Sequence, residues 1–592
     1  MYLNMLIYGH KNKSRLCPFN CFIIPLKREI GGAMEQFETR FRQVDVLPLV
    51  KHYMDELDLY NLFTKYTPAA AGSLAHHAES LCILTANIIC DNKPLYKVQE
   101  WLSKYSDGLG DEPAAASLFN DDRLARSLSA LFDSDRHSLM TEVSGNAIAV
   151  HKLLTDEIHN DSTSVTFIGK YDTPDPQAVK LKHGHNKDFR PDCKQIVFGL
   201  NITSDGHVPL SYKLFDGNTT DDVTHIPNWN ALRTLLEKED FIYVADCKLC
   251  SRENLIHIAN NGGFFITIVP KGRKEVKQFL KHLKKNDVKW KEAFEIESSR
   301  KKGRINIYKT FEPQGTRNEF RIIFVHSSSK QGDDEGRRRG KIDKAIAQLE
   351  ELSSKLNAYH LKTRKEIKEA VEGICKAVKG FIDVKIVTER KQIRVKISPG
   401  RPSLTKSVYK NKWAFTHRIQ WELNEQALAE ASKTDGIFPL ITNTVLEASE
   451  VLRKYKDQPF LEKRMYTKKT VLEVAPVFLK KEKRIEAMLF LYFVALMIVS
   501  LIERKIRMNM ARENIEKLPI LPQGMNSKKP TWNNIRYFFR NVHYSEIIRN
   551  GICIQAIVKG LSALHERINW LLEVPESVYK NLQGTWWQFR GT

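Results

Sequence analysis

The chain has 592 residues, enough for roughly three to five domains at about 150 residues each. Apolar residues make up 42% and charged residues 27%, and 92 Lys and Arg stand against 70 Asp and Glu, a formal net charge of +22. This composition excludes a wholly disordered chain, a collagen and a small disulfide scaffold, and the excess charge points to a polyanionic partner, most often nucleic acid.

Residues 1–36 read as a loose extension with neither the long apolar core nor the small-residue cleavage site of a signal peptide, and Met34 is a second candidate start. Residues 37–152 read as a helical domain. LPLVKHYMDELDLYNLF and LAHHAESLCILTANIIC carry apolar residues at helical spacing, and NDDRLARSLSALF opens on an Asn/Asp start. From 153 to 275 the texture changes. SVTFIGKY, KQIVFGLNIT, VPLSYKLFDG, FIYVADC and GGFFITIVP are short β-rich runs, with NWNALRTLLEK and SRENLIHIAN helical among them, which predicts a mixed α/β core. Residues 276–442 read as a basic, less regular stretch with a long helix starting near Lys341. Ile342, Ile346, Leu349, Leu352, Leu356 and Tyr359 form a narrow apolar stripe on it, which favours packing on its own domain over a coiled coil with a second chain. VKIVTERKQIRVKI and WAFTHRIQWEL within this stretch are strand-like. Residues 443–520 are strongly helical. The apolar run Ala487–Ile502 is a little short of a membrane span and flanked by charge, so a buried core helix is expected, followed by a basic C-terminal region over 521–592.

The nine cysteines are odd in number and irregularly spaced, which fits reduced thiols in a cytoplasmic protein. Cys17 with Cys21 and Cys247 with Cys250 are close pairs, but neither has a second pair to complete a four-ligand zinc site, so both read as free thiols. The chain carries no GxxxxGK[ST] phosphate loop, no GxSxG elbow and no HExxH zinc helix, which argues against an ATPase, an α/β-hydrolase and a zincin.

Carboxylates on the β runs are the stronger signal. Asp161 enters the first run and Asp246 ends FIYVAD. An apolar strand finishing in Asp directs its carboxylate to the sheet edge, where ligands bind, and two such groups can converge on a hard cation such as Mg²⁺. Either Asp alone is better read as turn chemistry or a helix cap. In LRKYKDQPFLEKRMYTKKTVLEV, Tyr455, Glu462 and Lys469 are seven residues apart and share a helix face with Gln458. Phenol, carboxylate and amine in one row suit a metal and phosphate oxygens; a solvated helix face is the alternative. Lys271, Arg273, Arg337, Arg338 and Arg339, in the basic segments, are candidates for DNA backbone contacts. Trp290 and Trp421 are candidates for stacking on an unpaired base, although a single aromatic more often belongs to a core. His183, His185 and Asp188 form a polar motif suited to scaffolding or phosphate contact.

In this order the motifs resemble insertion-sequence transposases of the IS-four superfamily. NDSTSVTF matches the first family motif, giving Asp161, and VADCKLCSRENL the second, giving Asp246. The third motif runs Tyr, two residues, Arg, three residues, Glu, six residues, Lys. Tyr455, Gln458, Glu462 and Lys469 fit its spacing, with Gln458 in place of an Arg and therefore without its charge or guanidinium fork. The resemblance implies an RNase H-like α/β core, interrupted by an insertion domain and preceded by an all-helical N-terminal domain that binds terminal repeats. It implies that Asp161, Asp246 and Glu462 hold Mg²⁺, with Mn²⁺ as a substitute, for hydrolytic cleavage at inverted repeats and then strand transfer by the 3′-OH. The implied partners are double-stranded terminal-repeat and target DNA and a second copy in a synaptic homodimer, in a prokaryotic cytoplasm, with no membrane and no nucleotide cofactor. A domesticated nuclease that cuts without joining and an inactive DNA-binding descendant are the alternatives.

Overall fold

The computed structural model describes residues 37–69, 76–106, 115–169, 171, 175–184, 190–297, 303–313, 319–358, 361–378, 380–397, 409–457, 479–550, 552–580 and 582. Among these residues the strands, in chain order, are β1 (Phe37–Gln43), β2 (Glu157–Phe167), β3 (Lys194–Thr203), β4 (Pro209–Phe215), β5 (Ile242–Ala245), β6 (Phe264–Ile268) and β7 (Lys291–Glu297). They continue with β8 (Ile305–Phe311), β9 (Arg321–Ser327), β10 (Ile382–Lys396), β11 (Tyr409–Leu423), β12 (Ile437–Thr442), β13 (His543–Arg549) and β14 (Ile552–Lys559). Helices separate many of them, so the fold is mixed α/β. The chain divides into two units, Met1–Tyr243 with Asp457–Thr592, and Val244–Lys456.

In the first unit the three helical runs read from sequence form as Leu47–Glu56 and Leu59–Tyr66, His77–Cys90 and Asp121–Asp133, and helices Val98–Ser106 and Arg136–His151 join them. The expected Asn start is present: the Asn120 side chain accepts from the Arg123 N–H at 2.9 Å. The region 37–152 is not wholly helical, however. It opens on β1, which pairs antiparallel with β13, Phe37 opposite Arg549 through Gln43 opposite His543. The physical reason lies far along the chain. Arg42 points inward and forms a buried ion pair with Glu546 at 2.9 Å, 504 residues away, and no local pattern reveals that partner.

The helix Glu482–Arg512 is the core of this unit. It has 31 residues, and its most apolar 18-residue window is entirely buried, as the sequence predicts. A helix can occupy an interior because its backbone hydrogen bonds are satisfied within itself. It packs against His77–Cys90, Asp121–Asp133 and β4, where the Tyr212 ring lies 5.0 Å from that of Phe493. Its buried charges are all engaged. Glu482 accepts from the Asp175 N–H at 2.9 Å, Glu486 from the Arg136 guanidinium at 2.8 Å, and Arg504 donates to Asp205 at 2.7 Å and to the His151 carbonyl at 3.0 Å. β2, β3 and β4 form an antiparallel run in the order β4-β3-β2.

In the second unit the strands run β6-β12-β9-β8-β7, each antiparallel to its neighbours. The stretch expected to be irregular is therefore regular. β7 is mostly exposed at an edge and β10 and β11 are exposed over most of their length, which weakens the apolar alternation a sequence pattern needs, whereas β9 and β12 are short and buried. The long helix also differs from expectation: it spans Ser328–Ser354, not a start near Lys341. Its first half, SSKQGDDEGRRRG, has three glycines and no apolar stripe. It is held by the Ser327 cap on the Lys330 N–H, by the Gly436 N–H donating to Asp334 at 3.0 Å, and by Arg338 on Asp435. From Ile342 the predicted stripe packs within its own unit, where Ile342, Leu349 and Leu352 meet Ile367, Val371, Val378, Ile382 and Ile419. Leu356 packs partly against this core, and Tyr359 lies outside the described residues.

The Arg504 guanidinium is 93% buried over Asp205, and Gly206 leaves the room it needs, since a Cβ there would meet the Arg504 side chain at 2.6 Å. Arg504→Met is expected to cost about 3–5 kcal/mol, because it removes the charged partner of the mostly buried Asp205 carboxylate and the donor to the carbonyls of His151, Lys152 and Asp205. Urea denaturation of the variant against the parent chain measures it.

Candidate active site and basic clefts

Asp161 sits in the middle of β2, opposite Leu200 of β3, in a strand that is otherwise mostly buried. Its carboxylate is half-buried and accepts from the Ser162 N–H at 2.7 Å. With side chains alternating along a strand, Glu157 and His159 share its face, and these two bond to each other at 2.8 Å in a buried pair. The alternation in EIHND contains that signal, and sequence reasoning passed over it. The neighbouring Asn160 begins a buried polar chain, bonding to Asn201 at 2.9 Å, which meets Asn228 and then the Tyr243 hydroxyl at 2.9 Å. Such a network, fully paired, fixes a strand's register.

In the second unit, Asp246 follows β5 directly. Its side chain accepts from the Lys248 N–H at 3.0 Å, and its carbonyl accepts from the Thr267 hydroxyl at 2.6 Å. The carboxylate is half-buried at the end of an apolar strand, as its sequence position predicts. Cys247 and Cys250 are free thiols. Burial pushes the Cys250 thiol up, against the pull of Arg273, which marks a packed, unreactive sulfur. Tyr455 is half-buried in the helix Ala448–Lys456, its ring 6.4 Å from that of Phe438. The helix ends, as described, one residue later. Gln458, Glu462 and Lys469 lie outside the described residues, as do His185 and Asp188. Asp161 and Asp246 are oxygen donors of the kind hard cations take. Among the described residues, no group of three His, Cys, Asp or Glu side chains is placed to hold a metal ion.

The basic residues sort into distinct places. Lys271, Arg337 and Arg338 line one cleft of about 450 Å³ in the second unit, together with Lys341, which the sequence reading did not single out. Val276, Phe381 and Ile437 supply its apolar lining. Arg338 is bidentate on Asp435, at 2.8 and 2.6 Å, and is thereby neutralised. Arg337 pairs with Asp334. Burial works to raise the Asp334 carboxyl, but the Gly436 N–H and the Lys330 ammonium outweigh it and hold it below its ordinary value. Lys271 and Lys341 are exposed, with no ion pair among the described residues. Arg273 belongs elsewhere, bonded to Glu275 at 3.0 Å in a smaller cavity with Arg252 and Glu319. Arg339 is exposed and lines neither. Trp290 packs in an aromatic cluster with Phe279, Phe311 and His326, and Trp421 packs partly against the core of its unit. His183 is exposed.

The first unit has a basic cavity of its own, about 490 Å³, lined by Lys93, Lys104, Arg536 and Arg540 around Asp45 and Asp91. Asp45 is 92% buried, and its Oδ1 has no hydrogen-bond partner among the described residues. Burial raises its carboxyl to about 7 against the pull of the Gln43 amide.

A family model described as a domain of unknown function, DUF4277, matches residues 39–145. No curated protein matches the chain. Among solved structures, the chain is similar to a piggyBac transposase in a synaptic complex with hairpin DNA, determined by cryo-EM. The two are 10% identical, with 80% of this chain and 85% of that chain covered and a TM-score of 0.25. A TM-score that low gives no basis for assigning fold or activity.

Asp45 makes the stability of the first unit depend on pH. Its folded value of about 7 lies above the ordinary aspartate value of 3.8, so its contribution is fully present below about pH 4 and is lost as pH rises through 7. Asp45→Asn is expected to remove that loss. Urea midpoints at pH 4.5 and pH 8 then differ less in the variant than in the parent, and an unchanged difference contradicts the assignment.

Proposed function

We propose that the chain is a DNA transposase of the Asp-Asp-Glu type, with an RNase H-like core, acting on the terminal repeats of an insertion sequence. The observation that carries this reading is the ordered run of motifs from Asp161 to Lys469. Asp161 and Asp246 are half-buried carboxylates, one within a mostly buried strand and one at the end of an apolar strand. Asp161, Asp246 and Glu462 would hold divalent cations, and their all-oxygen donor set suits Mg²⁺ or Mn²⁺. When bound, such ions supply Lewis-acid activation of the attacking oxygen and charge stabilisation of the leaving one.

The chain's own residues do the rest. The Tyr455 phenol, and Lys469 on the same motif, position phosphates beside the carboxylates. Gln458 contributes an amide where the family's Arg would contribute charge, so it orients a phosphate by hydrogen bonding alone. Lys271 and Lys341 are the cations of the second unit's cleft without a carboxylate partner among the described residues, and Arg337 stands beside them paired to Asp334. They hold backbone phosphates sequence-independently. Water is the first nucleophile and the freed 3′-OH the second, with no covalent protein intermediate and no ATP. DNA is the partner, in a synaptic dimer.

Two tests follow from this reading. Asp161→Asn, Asp246→Asn and Glu462→Gln are each expected to abolish Mg²⁺-dependent nicking of a terminal-repeat duplex while leaving its binding intact. Nicking at the parent rate by any one of them removes that residue from the triad. Lys271→Ala with Lys341→Ala is expected to weaken binding to all duplexes alike and to lower the salt slope by about one per lysine, measured by fluorescence anisotropy across a salt series.

A further inference from the structure

The hairpin of β10 and β11 has a feature that the assignment above does not use. Two fifteen-residue strands pair in continuous register from Ile382 opposite Leu423 to Lys396 opposite Tyr409. Residues directly opposite one another share a face. Near its base, one face carries Ile382, Val384, Ile386, Ile419 and Trp421, and these pack into the core of the second unit. Farther along the same face, past His417, that core ends and the side chains become exposed.

What replaces the aliphatic residues there is not an ordinary solvated strand. Three aromatics follow: Phe415 is 58% exposed, Trp413 55% and Tyr409 39%. Among them on the same face stand Arg390, Arg394 and Lys396, with Gln392 and Asn411. The Arg390 guanidinium lies 4.9 Å from the Trp413 ring centre and that of Arg394 lies 5.8 Å from Tyr409. No acidic residue lies on this outer part of the face, because Asp383, Glu389 and Glu422 all fall on the opposite one. The ribbon as a whole holds eight Lys and Arg against three Asp and Glu. Water disfavours exposed aromatics, and a cluster of them ringed by cations marks a surface with a partner.

We infer that the outer half of this face is a DNA-holding surface whose aromatics stack on unpaired bases while its cations follow the backbone. Duplex DNA buries its base faces within the stack, whereas single-stranded or frayed DNA offers them, and Trp, Phe and Tyr rings interleaved with Arg are the side chains that receive them. A second copy of the chain fits less well, since two such cationic faces repel. The inference rests on the proposed action on DNA for the identity of the polyanion, but not on the carboxylate triad.

The test uses the full chain and fluorescently labelled oligonucleotides, single-stranded and blunt duplex. Trp413→Ala and Phe415→Ala replace exposed side chains, and unchanged thermal melting shows that they fold. Each is expected to weaken single-strand binding by about tenfold, from the usual value of a base–aromatic stack, while changing blunt-duplex binding less than twofold. The comparison variant Lys391→Gln with Lys412→Gln removes charge from the opposite face. It is expected to leave single-strand affinity and its salt slope within about twofold of the parent, because these lysines do not face the bound strand. Parent-like single-strand affinity in both aromatic variants overturns the inference, as does a change in sedimentation with DNA affinity unaltered, which would assign the face to self-association. Parent chain that binds single strands through Trp413 but never cuts DNA refutes the proposed activity and leaves this surface standing.

Discussion

The first unit depends on one act of burial. The helix Glu482–Arg512 carries an apolar stretch with the composition of a membrane span into the protein interior, where neighbouring helices and β4 cover it completely. A helix of this kind has no polar face to leave in water, so the surroundings must be built around it. Its charged residues show how the ends are accommodated. Glu482 and Glu486 near the start receive backbone N–H groups and Arg136, and Arg504 towards the end is seated on Asp205 and the carbonyls of His151 and Lys152. These bonds join the helix to the loops around β2 and β3, and so hold the strand that bears Asp161.

The second unit is organised by charge as much as by apolar burial. Many of its cations are neutralised locally: Arg338 by Asp435, Arg321 by Glu312, Arg273 by Glu275. These pairs brace helix, strand and loop. Among the cations without a carboxylate ion pair in the described residues are Lys271 and Lys341 at the cleft and Arg390, Arg394 and Lys396 on the ribbon, which have charge to offer a polyanion. A net charge of +22 thus resolves into structural cations and cations facing solvent, and composition alone cannot make that distinction.

Elements with strong local periodicity were legible in the sequence. The helices Leu47–Glu56, Leu59–Tyr66, His77–Cys90 and Asp121–Asp133, the strand leading to Asp246, the buried run after Glu482 and the stripe from Ile342 to Leu352 all follow from apolar spacing, caps and turns. What escaped was non-local or polar. β1 depends on Glu546, at the far end of the chain, and the first half of Ser328–Ser354 is helical because Asp334 and Arg338 anchor it, against its own glycines. At the site, Asp161 and Asp246 stand on strands as their flanking residues indicate. His159 beside Asp161 was legible in the alternation of EIHND, whereas Lys341 beside Lys271 emerges only when side chains are placed in space. Trp290 and Trp421, marked for stacking, lie in packing contacts, while Trp413 and Phe415, adjacent in the same strand-like run as Trp421, are the exposed ones. Strand alternation alone does not reveal where a core stops.

The central claim is metal-dependent cutting and joining of DNA. Its most direct measurement incubates the full chain with a linear duplex ending in the inverted repeats that flank its gene, together with a supercoiled plasmid and Mg²⁺. The account predicts nicks at the repeat ends and covalent joining of their 3′-OH groups to the plasmid, both lost with EDTA. A chain that binds the repeats but yields neither nick nor joined product with Mg²⁺ or Mn²⁺ would contradict it.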